Sequence, residues 1–233
     1  MTKKRTVLSV HITDKEQLWG ITYLLLSLFL LPEILHFLNG YLPLPLGKAW
    51  LNLLYFSVNF VCILWIFHGF FHRSLCYAGQ NTGRFLLAVL LGFGGYWICS
   101  WCISLLYRWL FPSFVNLNDG SITAQLHDHF WIMAIGTVLL VPIAEEALHR
   151  GLIFGSLYQK SHIAAYLLSS AIFSAVHIMG YANVYSLPHL LLAFLQYLPA
   201  GFALALAYRA SGSIFAPILI HTMINAIGLF VLR

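Results

Sequence analysis

Seven long apolar stretches separated by polar breaks make up most of this chain: about Leu18 to Leu38, Trp50 to Phe71, Phe85 to Phe111, Phe130 to Tyr158, Ile163 to Met179, His189 to Tyr208 and Ser213 to Leu232. Each approaches the ~20 residues that cross a hydrocarbon core. The pattern predicts an all-α fold, a polytopic integral membrane helix bundle of about seven transmembrane helices. The longest polar break, Pro112 to His129, is rich in Asn, Asp, Gly and Ser and reads as a loop. Pro142, inside the fourth stretch, lacks a backbone donor, so a local kink and freed carbonyls are expected there.

Composition supports the pattern. The chain is 61% hydrophobic and 8% charged, with mean hydropathy +0.84, against roughly 25% charged residues in a soluble domain. The first stretch follows Lys3, Lys4, Arg5 and Lys15, as a secretion signal would. It is too long for a signal core and lacks a small-residue cleavage site, so it reads as a retained span. No repeat or linker divides the chain. We read residues 1–17 as a cytosolic N-terminal segment, 18–129 as the N-terminal helices of the bundle and 130–233 as its core region, all within one membrane domain.

The net charge of +5 is not gathered on a face, which argues against nucleic acid as a partner and leaves the lipid bilayer as the main surroundings. Lys3, Lys4, Arg5, Lys15, Arg73, Arg84, Lys160 and Arg209 fall on one side if every stretch spans, and Lys48, Arg108 and Arg233 on the other. The bias predicts a cytosolic N-terminus and an outside C-terminus, with the plasma membrane the expected location. Cys99 and Cys102 have redox spacing but read as small buried residues within a span.

Candidate chemistry lies in the second half. The fourth stretch contains Glu145, Glu146, His149 and Arg150, and intramembrane charge is a functional hypothesis by default. One-turn spacing pairs Glu146 with Arg150 as a structural ion pair and Glu145 with His149. Phe173 and His177 share a helix face, as do His221 and Asn225. A single membrane histidine is usually a hydrogen-bonded packing residue. At ~1.5 Å per residue, Glu145 and Asn225 each lie roughly 18 Å from the cytosolic end, His177 roughly 22 Å and His221 roughly 12 Å. A shared polar layer near the midplane, or just cytosolic of it, implies a water-containing cavity.

The three motifs, Glu-Glu-x-x-x-Arg, Phe-x-x-x-His and His-x-x-x-Asn, stand in that order on separate helices. Over about Phe130 to Leu232 the chain resembles the CPBP intramembrane proteases, the Abi or CAAX-protease family that includes type II CAAX prenyl endopeptidases. The resemblance implies an endopeptidase acting on a membrane-associated peptide or protein, of the CAAX or bacteriocin-related kind, approached from the cytosol. It implies Glu145 as the base that activates water, His177 as its partner, and His221 and Asn225 as oxyanion stabilisers. Glu146, Arg150 and Phe173 would support them. His149 occupies a variable motif position.

Glu145, His177 and His221 would also make three ligands for a catalytic Zn2+, while a metal-free glutamate mechanism uses the same residues. The spacing His-Glu-x-x-His is absent. Ser211-Gly212-Ser213 falls at a probable loop and Asp14, Asp119 and Asp128 fall outside the spans, which excludes serine and aspartyl intramembrane mechanisms. His127, Asp128 and His129 read as an interfacial cluster. Two other classes fit the composition: a proton-coupled transporter using the same groups as a relay, and a non-catalytic bacteriocin-immunity or scaffold protein.

Overall fold

The computed structural model describes residues 8–232, apart from the side chains of 117–119 and 127–128. Lys3, Lys4, Arg5 and Arg233 lie outside the described residues, as do the side chains of Asp119, His127 and Asp128. Among the described residues all regular structure is helical. Seven helices are long and apolar enough to cross a membrane: α1 (Asp14–Gly40), α2 (Lys48–Gln80), α3 (Thr82–Leu110), α5 (His129–Tyr158), α6 (His162–Met179), α7 (Leu187–Ser211) and α8 (Phe215–Leu232). Large side chains such as Trp65, Leu90 and Trp109 remain exposed on the outside, as lipid-facing positions do. The protein is an integral membrane helix bundle.

The expected loop between the third and fourth spans instead contains a helix, α4 (Leu117–Met133), which bends at His129 (φ −135°, ψ 35°) into α5. Its polar composition hides apolar positions one turn apart. Leu126 packs with Met133, seven residues on, and Leu229 of α8, with Ile122 against the same cluster. On another side of α4, Gln125 receives a hydrogen bond from Asn52 at 3.3 Å and Ser121 one from Lys48 at 3.4 Å. The helix thus lies across the end of the bundle that carries Lys48 and contributes Ser121, Ile122 and Gln125 to the wall of a cavity there.

The most apolar windows of α5 to α8 are 39%, 28%, 44% and 33% buried, against 17%, 17% and 6% for α1 to α3, so the interior is built mainly by the last four spans. Small residues let these helices approach. A Cβ on Gly201 would stand 2.9 Å from the Ser170 backbone, which holds α6 against α7 and sets the depth of everything between them. At the other end of α7, Gly212 takes the left-handed conformation (φ 76°) that ends the helix.

The second helix extends beyond its apolar stretch, to Gln80, and breaks at Phe67 (φ −105°, ψ 16°). His68 Nδ1 donates to Trp65 O at 2.9 Å, inserting a side chain into the ladder. The break lies inside the turn that the Phe70 N–H would close. That N–H donates to Glu16 Oε1 at 2.7 Å, while Glu16 Oε2 accepts from Arg73 at 2.6 Å and from Thr13 N at 2.7 Å. Glu16 also completes a capping box with Thr13 at the start of α1. Just before it, Leu8, Val10 and Ile12 are buried against Phe70, Phe154 and Tyr208, and Tyr208 Oη donates to Val10 O at 2.9 Å.

Candidate active site

The site begins with an irregularity in α5. Widened π turns cover Ala134–Leu140 and Ala147–Phe154, with an α-helical segment, Val141–Glu146, between them. In the first, the Val141 N–H donates to Gly136 O, five residues back. The same register would assign Thr137 O to the N–H of residue 142, and proline has none. Asn225 Nδ2, from α8, donates to Thr137 O at 2.8 Å. The freed carbonyl expected from Pro142 is therefore present, and a motif residue binds it. Because a carbonyl only accepts, the Asn225 amide orientation is fixed, and its second N–H is left for another acceptor.

Successive helix positions point about 100° apart, so the two glutamates address different surroundings. Glu146 is fully buried. Its Oε1 accepts from Arg150 at 3.0 Å and from His221 Nδ1 at 2.8 Å. Arg150, also fully buried, donates to Gly201 O at 3.1 Å and lies 4.4 Å from the Phe173 ring centroid. One ion pair thus ties α5 to α6, α7 and α8. The spacing argument found Glu146 with Arg150 but not the bond to His221.

Glu145 lines a polar cavity of about 540 Å³ together with His177, His221 and Asn225. Its Oε2 is buried without a hydrogen-bond partner. Facing it are His177 Nε2 at 3.9 Å and His221 Nε2 at 4.0 Å. The tautomers follow from the opposite ring edges: His177 Nδ1 donates to Phe173 O at 2.8 Å and His221 Nδ1 to Glu146. Both Nε2 atoms therefore present lone pairs to the Glu145 oxygen unless a ring gains a second proton. Three acceptors converge on one volume. A water there has two protons to offer, so one more proton or a cation is needed to satisfy all three.

Zinc suits that donor set, since ligating histidines ordinarily donate their other N–H to a carbonyl or carboxylate. Bonds of about 2.0–2.1 Å place tetrahedral ligands roughly 3.3 Å apart, so separations of 3.9 and 4.0 Å would have to close around a metal. Among the described residues no group of three His, Cys, Asp or Glu side chains has ligating geometry.

His149 does not pair with the Glu145 carboxylate as its spacing suggested. It is buried, and its Nδ1 donates to the Glu145 backbone carbonyl at 2.9 Å while its ring meets Phe173 edge-on at 5.3 Å. Phe173 contacts His149, His177, His221 and Arg150, which makes it the spacer of the site. Tyr197, whose ring lies 4.5 Å from that of His177, was not singled out from sequence. Nor was Gln196, which accepts from Asn116 at 2.8 Å. Both are polar positions in an apolar stretch, a signal that was legible.

The cavity runs from Glu145 toward Asn52, Asn116, Ser121, Gln125 and Gln196, at the end of the bundle that carries Lys48. The cavity therefore leads to the end opposite the start of α1, not to the N-terminal end from which approach was expected. A separate apolar groove of about 830 Å³ lies between α3, α6 and α7 and includes Cys99 and Cys102. These cysteines are free and exposed on the outside of the bundle, not buried as their small size suggested.

Comparison with known proteins agrees with the motifs. Residues 127–227 match the family described as Type II CAAX prenyl endopeptidase Rce1-like, a segment that contains Glu145, Glu146, Arg150, Phe173, His177, His221 and Asn225. The chain is 39% identical over 95 residues to a Bacillus subtilis (strain 168) protein named "Putative membrane peptidase YdiL", covering 40% of this chain and 34% of that protein. It is 32% identical over 90 residues to a Lactococcus lactis subsp. lactis (strain IL1403) protein named "UPF0177 protein YxdF", covering 39% of this chain and 44% of that one. The matched segment thus spans less than half the length of either relative. No solved structure matches the chain.

Proposed function

We propose, on the premise that residues 127–227 belong to the Rce1-like family, that this integral membrane protein is an endopeptidase that hydrolyses a membrane-associated peptide or protein. The observation that carries the reading is the unpartnered Glu145 Oε2 facing two imidazole Nε2 atoms inside a polar cavity. Water held between Glu145 and His177 would lose a proton to Glu145 as its oxygen attacks the scissile carbonyl carbon. The free N–H of Asn225 would meet the oxyanion. His221 Nε2 could donate to it only as an imidazolium, a charge that the Glu146 carboxylate opposite is placed to hold. The proton on Glu145 would then pass to the leaving amine as the C–N bond breaks.

A zinc ion, if part of the enzyme, would be held by Glu145, His177 and His221 and would polarise the attacking water. The chain is proposed to lie in the plasma membrane with a cytosolic N-terminus, a reading supported by its lysine and arginine distribution. Purified protein, Glu145→Gln and His177→Ala are to be compared on a peptide library. Cleavage by wild type and its loss in both variants is expected. A wild type that cuts nothing, or cutting that survives both substitutions, sinks the assignment. Stringent metal removal followed by zinc addition separates the two mechanisms: activity lost and regained requires zinc, and unchanged activity assigns the reaction to the side chains alone.

A further inference from the structure

Two independent features of the bundle fix the side from which Glu145 can be reached. The first is charge. Lys15, Arg73, Arg84, Lys160 and Arg209 lie at one end of the bundle, where Arg73 bonds Glu16, Arg84 bonds Tyr77 and Arg209 bonds Tyr158. The sequence adds Lys3, Lys4 and Arg5 before α1. The other end holds Lys48 and Arg108, with Arg233 following α8 in the sequence. Basic residues beside span ends remain cytosolic, so the arginine-bearing end is the cytosolic one.

The second feature is closure. Between Glu145 and that end lie the fully buried Glu146 and Arg150, then Phe154, Tyr158 and Tyr208, and across these the buried segment Leu8, Val10 and Ile12. The opposite direction is a cavity of mixed lining, in which the amides of Asn52, Asn116, Gln125 and Gln196 and the hydroxyls of Ser100, Ser104 and Ser121 alternate with apolar side chains such as Phe56, Trp97 and Ile224, with no lysine or arginine in its lining among the described residues. Neutral donors and acceptors of this kind match a peptide backbone or uncharged polar side chains.

We infer that Glu145 is reached from the extracytosolic face, and that the substrate is an exported peptide or an extracytosolic segment of a membrane protein, presented as an uncharged stretch of backbone. The inference rests on the peptidase reading for its substrate and on the charge and closure of the bundle for its side.

The test is made on the full chain with Cys62, Cys76, Cys99 and Cys102 replaced by serine, carrying either Ser121→Cys at the cavity wall or Lys160→Cys at the arginine-bearing end. A membrane-impermeant maleimide is applied to intact spheroplasts and to permeabilised ones. Ser121→Cys is expected to label equally in both, and Lys160→Cys only after permeabilisation. Labelling of Ser121→Cys only after permeabilisation, or of both positions in intact spheroplasts, overturns the inference. If the serine background fails to accumulate, an alkaline phosphatase fused after Arg233 of the native chain decides. An active fusion supports the orientation and an inactive one overturns it. Neither readout needs turnover, so failure of the peptidase reading is scored separately.

Discussion

Glu146 holds His221 by its Nδ1–H at 2.8 Å and so turns the bare Nε2 of that ring toward Glu145, 4.0 Å away. The two adjacent glutamates act on the same imidazole from opposite edges, one as a buried acceptor and one from the cavity. Replacing Glu146 by Ala leaves Arg150 buried without its carboxylate. The expected loss of stability is about 3–5 kcal/mol, read as a lower unfolding midpoint in detergent. If the midpoint is unchanged, the pair contributes nothing to the bundle.

Glu145 makes no hydrogen bond through its Oε2 and lies on a cavity wall. Glu145→Gln is therefore expected to leave the unfolding midpoint near that of wild type while lowering peptide cleavage by ~10²–10⁴-fold. Equal losses of stability and cleavage would assign Glu145 a packing role.

Pro142 and Asn225 are coupled through Thr137 O. Asn225→Ala strands that carbonyl, at an expected cost of about 1–3 kcal/mol. Pro142→Ala supplies the missing N–H, so Asn225→Ala should cost less stability in that background. A double-mutant cycle that finds the two substitutions additive rejects the coupling.

Gly201 of α7 lies directly against the Ser170 backbone of α6. Its Cβ-bearing variant Gly201→Ala would press on the Ser170 backbone at 2.9 Å and move the carbonyl that receives Arg150. A lower unfolding midpoint is expected, together with weaker cleavage. An unperturbed midpoint would mean the interface gives way at no cost.

Much of this was legible in the sequence. Apolar length alone predicts the seven spans, and the one-turn spacings place Glu146 on Arg150 and His177 on the same face as Phe173. What spacing cannot report is contact between helices, which is why the Glu146–His221 bond and the tilted ring contact of Tyr197 with His177 appear only in three dimensions. The helix over 117–133 was hidden because its composition is that of a loop, while Ile122 and Leu126 gain their value from a distant partner, Leu229. The direction of the cavity was missed for a related reason. Depth along each helix locates a layer but does not tell which side of the layer is packed.

The carboxylate of Glu16 completes a helix that is broken at Phe67, caps the helix to which it belongs, and neutralises Arg73. Exchange of the Phe70 amide with solvent protons therefore reports on the docking of residues 8–12, more than fifty positions earlier in the chain. The segment before α1 and the break in α2 are thus joined through one carboxylate, so loosening the first is expected to admit water to the second.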